Sequence, residues 1–496
     1  MGNRPLLFWQ LRLLKASRPG EPILLSLPEN YTVEPFHEEF LEGVEIVRVP
    51  TSLSLAQSLM YVLNVSGSSS GEITILHGDT LVEHIPRHSD FIGIAQSSDG
   101  YDWDEVSDRC DGKVDVWCGV FSFSDGTELV RSLALAGDDF RTAVGNYEST
   151  KGIRYEHFEV WWDCGHLNTY LRAKTNVTTE RAFNELLISD GTVHKRSSKT
   201  EKIKRESYWF ERLPTHLKPF TPALYDVHED TGEYSIEYLP MMSVSDIFVF
   251  GNQDYTFWNH ILGLYQQWFM KARMSATEDT NRTAEETRRE LVVEKTWSRV
   301  RSLQHDWGLD VDAALKFNGN TLPSLRRICE ILIADALRRP LLPGVLHGDL
   351  CFSNCLIDTR NDRLRVLDPR GASVDAGLTG DMTYDVAKII HSAIGQYDLI
   401  IAGAFDLKSS HDGTDFNFEV LTGPTQEIAS QTFWEHSPIP GDGNAVRNAL
   451  PTMLLLFLTM PPLHSDNPLR QRALFANGLR LFDSFYMPKN KKEGQK

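Results

Sequence analysis

Cysteine is scarce and scattered in this chain. The six at positions 110, 118, 164, 329, 351 and 355 of 496 residues form neither a dense disulfide framework nor a Cys-x-x-Cys zinc pattern. That excludes a small cross-linked secreted domain and points to a reducing, cytoplasmic setting. Long apolar runs are also missing. The greasiest stretch, LPTMLLLFLTMPPL near residue 450, is too short to span a bilayer and is interrupted by prolines, so it is expected to be a buried helix. The opening MGNRPLLFWQLRLLKASRPGEP lacks the charged start, apolar core and small-residue cleavage site of a secretory leader. Positive charge is in short supply: 50 Lys and Arg stand against 68 Asp and Glu, a formal net charge of -18. A strongly acidic chain is a poor partner for duplex nucleic acid, whose affinity comes from cations on phosphates. A nucleoside triphosphate needs only a few local cations and a metal. No internal repeat is present, and nothing in the sequence sets the oligomeric state.

What is there is the composition of packed domains: 41% hydrophobic, 24% charged and 10% aromatic residues. The length suits two to four domains, and two are expected. Over residues 1–185 the β-rich runs PILLSLP, VEIVRVP and EITILHGD are interleaved with LLFWQLRLLKA and SLAQSLMYVLNV, whose apolar spacing is helical. That rhythm predicts an α/β domain of βαβ units with a parallel sheet. A polar, cationic stretch from about residue 186 opens a second domain, expected to run to 487. It contains the strand YSIEYLP, a helix-rich span from about 254 to 340, and then loop, strand, turn and strand through GVLHGDLCFSNCLIDTRNDRLRVLDPRG, with mostly helix beyond. The Lys-rich end, 488–496, is expected to be a disordered tail.

Phosphoryl transfer needs a group to orient the attacking hydroxyl, metal ligands to neutralise phosphates, and a cation on the α- and β-phosphates. His347 to Asn354 has the spacing His-x-Asp-Leu-x-x-x-Asn, a kinase catalytic loop with Gly348 in place of Arg. Asp349 is the candidate catalytic base and Asn354 a metal ligand. LRVLD ends in Asp368, where kinases carry a second metal aspartate, and the two strands between would bring Asn354 and Asp368 to one end. Asp381 can cap the helix DMTYDVAKII and Asp385 can brace the loop. In EITILHGD a strand ends in Asp79, and FEVWWDCGH places Asp163 after another. Two carboxylates from separate strand ends can share a magnesium ion on a nucleoside triphosphate.

The segment His347–Asn354 followed by Asp368, with GDMTYDVAKIIHS after it, resembles the aminoglycoside phosphotransferase and choline kinase superfamily over roughly residues 190–485. The resemblance implies an α+β bilobal, protein-kinase-like fold with ATP and Mg2+ as cofactors. It implies as acceptor a small-molecule hydroxyl on a sugar, polyol or amino alcohol. It also implies Lys195 on the phosphates with Glu206 as its partner, and a hinge around Glu237 and Leu239 for adenine. Lys199, Lys202 and Lys204 crowd the same stretch as alternatives to Lys195. Residues 1–185 resemble the sugar-phosphate nucleotidyltransferases, a Rossmann-like sheet, through Asp79 and the Trp-x-Asp-x-Gly of Asp163, with His166 where that family has Thr. MGNRPLLFWQLRLL looks like its Pro-Leu-Leu segment, and VPTSLSLAQSL lies where its base-contacting loop would be. This implies CTP or UTP as a further cofactor. That family's glycine-rich opening loop is absent from the sequence, so the domain is expected either to be truncated or to have become a binding module. The pairing suggests precursors of surface polysaccharide.

Overall fold

A computed structural model of the chain describes residues 4–33, 40–106, 112–176, 184–189, 191–197, 200–228, 230–274, 278–370, 377–410 and 412–487. The tail from 488, Cys110 and Lys199 lie outside these residues. Internal contacts divide the chain into two units, Met1–Thr179 and Glu180–Lys496. No helix among the described residues is long and apolar enough to cross a membrane.

In the first unit the sheet departs from the parallel arrangement expected from the sequence. Ile23–Pro28 and Val44–Val49 do pair in parallel, but as a two-stranded sheet of their own. The four-stranded sheet runs Ile73–Leu76, Val114–Phe123, Phe91–Ser97, Arg154–His157. Its central strand, Val114–Phe123, is antiparallel to both neighbours. The reason is the connection: no helix lies among the described residues between Phe91–Ser97 and Val114–Phe123, and without a crossover the chain returns antiparallel. Arg154–His157 pairs in parallel with Phe91–Ser97; it follows Val114–Phe123 through two helices, Gly126–Ala136 and Phe140–Lys151, and runs opposite to that strand. One sheet face packs Ile92, Ile94, Phe121 and Phe123 against Leu129, Leu133, Val144 and Tyr147 of those helices. The fold of this unit is mixed α/β with a largely antiparallel sheet.

The second unit opens on an antiparallel sheet in the order Leu224–His228, Glu233–Glu237, Thr192–Ser197, Asn184–Ser189, with the helix Thr200–Arg212 packed on it. Ile203, Glu206, Trp209 and Phe210 form the buried stripe of that helix, spaced three or four apart. The rest is built on buried helices. Tyr255–Arg273 buries Trp258, Ile261, Leu262, Tyr265, Trp268 and Phe269, so its aromatics are core. Ala445–Thr459, the greasiest run, is buried along almost its whole length. A second four-stranded sheet, in the order Asn320–Ser324, Ala314–Phe317, Asp415–Val420, Phe405–Ser409, interrupts regions the sequence reading took as helical.

Candidate active site

The loop His347–Asn354 is fixed from beneath. Both oxygens of the buried Asp385, on the helix Thr383–Ala393, accept backbone N–H bonds, Oδ2 from His347 and Oδ1 from Gly348, each 2.8 Å. Gly348 sits at φ +80°, a left-handed conformation in which a larger residue would be strained. The Trp209 indole N–H donates to the carbonyl of Leu346 (2.9 Å), and Phe352 packs among Phe248, Trp258, Tyr265 and Phe433. Asp381 accepts from the backbone N–H of Leu342 and Thr383 and pairs with the buried Arg288 (2.6 Å).

The hairpin Cys355–Asp358 with Arg363–Val366 pairs Cys355 with Val366, so its open end sets Asn354 beside the Leu367–Asp368 segment. Leu367 N–H donates to the carbonyl of Asn354 (2.8 Å), and Arg370 N–H to that of His347 (2.7 Å). Asp368 sits at φ +53°, which Asp tolerates better than most residues. Its Oδ1 accepts from the Lys195 ammonium at 2.6 Å, and Lys195 reaches Glu206 Oε2 at 2.7 Å on its other side. The Tyr234 hydroxyl also donates to Glu206 (2.8 Å). Burial would depress the Lys195 ammonium, but Asp368 and Glu206 outweigh it and raise its pKa. Partial burial pushes the Asp368 carboxyl up, and Lys195, with Lys202 and Arg370, more than reverses this to hold it low. Of the other lysines, Lys202 pairs with Glu206 at 3.4 Å and Lys204 with Glu201 at 3.9 Å; Lys195 is the one whose ammonium bonds Asp368.

Asp349 meets two cations the sequence reading did not single out. Lys388 Nζ is 2.8 Å from its Oδ1 and Arg370 Nε 3.0 Å from its Oδ2. Burial would raise this carboxyl, but Lys388 and Arg370 hold it well below the ordinary range. The signal for Lys388 is spacing: it stands three residues after Asp385 on one helix, and a residue at i+3 of the loop's brace shares its face. The Asn354 side-chain N–H donates to the carbonyl of Asp349 (2.8 Å), leaving its amide oxygen for a ligand. That oxygen and the half-exposed Asp368 carboxylate are hard donors of the kind magnesium takes, one or two from protein and the rest from phosphates and water. Among the described residues no group of three or more His, Cys, Asp or Glu could hold a metal, so a cation here would lean on the phosphates.

Glu237 and Leu239 share no bond with this cluster among the described residues. The Glu237 carboxylate pairs with Arg365 (3.1 Å), its N–H donates to Ala223, and the Leu239 carbonyl accepts from Met241 (2.8 Å). A cleft of about 560 Å³ lies beside Glu237, lined also by Phe210, Lys218 and Arg365. In the first unit Thr80 pairs with Asp163, and Cys164 N–H donates to the carbonyl of Asp79 (2.7 Å). A side chain at Gly165 would begin 2.8 Å from Asp79 Oδ2 and 3.3 Å from Asp163 Oδ1, so both carboxylates converge on that glycine. Asp163 is already engaged by Gly165 N–H, His166 Nδ1 and the Thr169 hydroxyl.

No protein-family model and no curated protein matches this chain. Among solved structures it is similar to a choline/ethanolamine kinase family protein from Mesorhizobium loti, at 12% identity and TM-score 0.37 over 64% of this chain and 95% of that one. It is similar to the choline kinase LicA from Streptococcus pneumoniae at 12% identity and TM-score 0.31, covering 62% of this chain and 92% of that one. It is also similar to a macrolide 2′-phosphotransferase from Brachybacterium faecium at 15% identity and TM-score 0.32, covering 62% and 96%. At these values the likeness is a partial one of chain path, and the chemistry rests on the residues themselves.

Proposed function

We propose that the second unit is an ATP- and magnesium-dependent phosphotransferase that moves a phosphoryl group onto a hydroxyl of a small molecule. The observation that carries this reading is the buried Lys195 held between Glu206 and Asp368, with Asp368 tied through the hairpin to the loop of Asp349 and Asn354. In this reading Lys195 binds the α- and β-phosphates and Glu206 keeps it aimed. Asn354 and Asp368 would hold magnesium, which neutralises phosphate charge. Asp349 orients the hydroxyl. The acceptor oxygen bonds the γ-phosphorus as the bond to the β-phosphate oxygen breaks, ADP leaves, and the hydroxyl proton passes through Asp349 to solvent. A carboxylate held ionised by two cations is a weak base, which suits a transfer dominated by positioning and charge neutralisation. Asp349→Asn should cut acceptor-dependent ADP formation by roughly 10²–10⁴-fold while the circular dichroism spectrum is kept. Undiminished ADP formation by that variant overturns the assignment.

The convergence of Asp79 and Asp163 on Gly165 supports a second reading, for the first unit alone: nucleotidyl transfer from CTP or UTP to a phosphate. Such a step would take the second unit's product into an activated donor for surface-polysaccharide precursors. Magnesium-dependent pyrophosphate release with a sugar phosphate, lost in Asp79→Asn, is expected; no release from either nucleotide removes the reading.

A further inference from the structure

Around Asp349 the protein collects more positive charge than one carboxylate can match. Arg370 and Lys388 touch it. One turn before Lys388 on the same helix face stands Tyr384, whose hydroxyl accepts from the Lys295 ammonium at 3.0 Å. Arg299 follows Lys295 by one turn on the helix Lys295–Trp307, and Lys295, Arg299 and Tyr384 line one crevice with three threonines and four apolar side chains of Leu and Val. Neither Lys295 nor Arg299 has a carboxylate within 4 Å among the described residues, and Arg299 makes no hydrogen bond there. Burial and neighbouring cations depress both, and the same cations pull the Tyr384 phenol down against its burial. In a chain of net charge -18, two cations on Asp349 and two more around the neighbouring Tyr384 are not a by-product of composition.

Arg370 and Lys388, beside Asp349, are placed for the phosphoryl group in transit. Lys295 bonds Tyr384, about one helical turn or ~5 Å from Lys388, and among the described residues neither it nor Arg299 pairs with Asp368 or Glu206, the partners of the cation assigned to ATP. We propose that the acceptor carries an anionic group, a carboxylate or a phosphate, that is bound by Lys295 and Arg299 while its hydroxyl faces Asp349. The proposal rests on the phosphotransferase reading and names its substrate class. The crevice holds about 10 Å³, room for one water-sized group. It therefore admits a single oxygen of the anionic group and leaves the rest of the acceptor outside. An acceptor bearing an ammonium group meets like charge at this position and is disfavoured.

The test is ATP consumption by the full chain with four sets of acceptors at equal concentration. These are glycerol and sorbitol, choline and ethanolamine, glycerate and gluconate, and glycerol 3-phosphate and ribitol 5-phosphate. Turnover is expected only in the last two sets, and which of them responds identifies the group. Arg299→Gln should raise the acceptor KM by roughly tenfold or more and leave the KM for ATP within about twofold. Turnover of neutral or cationic acceptors, or an acceptor KM unmoved in Arg299→Gln, overturns the proposal. If no acceptor in any set is phosphorylated, titration calorimetry with inorganic phosphate separates the two ideas. Binding by the natural chain that is lost in Lys295→Met/Arg299→Gln keeps the anion site while the phosphotransferase reading fails; equal binding by both, or none, ends the anion site as well.

Discussion

The His347 ring is fully buried with its Nδ1 accepting the N–H of Asp349 (3.2 Å), while the rings of Trp209 and Trp268 stand 5.5 and 6.4 Å away. An acceptor nitrogen is an unprotonated one, and burial depresses this imidazole from 6.5 to about 4. The unfolded chain therefore binds a proton at His347 before the folded one does. Its contribution is complete above about pH 6.5 and is lost as pH falls toward about 4, amounting to about 3 kcal/mol. His347→Gln, which cannot titrate, should give urea midpoints with a shallower decline between those pH values; a parallel decline in both proteins would show that His347 does not titrate there. The motif around His347 was readable from spacing, because order and separation along the chain survive in one dimension. The cations on Asp349 were not, since Arg370 and Lys388 stand 21 and 39 residues away in sequence and only the fold gathers them.

At the scale of elements, one buried arginine does the joining. Arg288 donates to Asp381 and to the carbonyls of Ala336, Arg339 and Pro340, tying the end of the helix Leu325–Arg338 to the strand that leads into Thr383–Ala393. Arg288→Met strands the Asp381 carboxylate and should destabilise the second unit by about 3–5 kcal/mol. Arg288→Met/Asp381→Asn should recover part of that loss in urea unfolding, and no recovery would mean the ion pair is not the source. Elements with long periodic patterns, such as Thr200–Arg212 and Tyr255–Arg273, were legible. The strand pair Ala314–Phe317 with Asn320–Ser324 was missed, although its signal was present. Asn318-Gly319 sits between two β-compatible runs, and at φ +46° and +82° it makes the hairpin turn that this dipeptide favours. Asp415–Val420 then extends that pair by a parallel contact from nearly a hundred residues away, which no local pattern announces.

For the whole molecule, the sequence places a domain boundary near residue 186, and internal contacts divide the chain after Thr179. It misjudged the first unit's sheet because strand-and-helix rhythm gives the elements and not their directions: Val114–Phe123 and Arg154–His157 run opposite ways although two helices join them. The acidic total also hides its most informative local feature, since a sum over 496 residues averages away the two cations gathered at Asp349 and the two around Tyr384 beside it. That gathering bears on waste. Any enzyme that opens a triphosphate to attack must keep water from taking the place of the intended acceptor. With each oxygen of Asp349 already bound to one cation, Lys388 or Arg370, a lone water is left only the second lone pair of each and has no contact of its own to hold it. On the proposed reading, an acceptor anchored by contacts of its own reaches Asp349 where an unanchored water does not stay, so the idle enzyme spares its ATP.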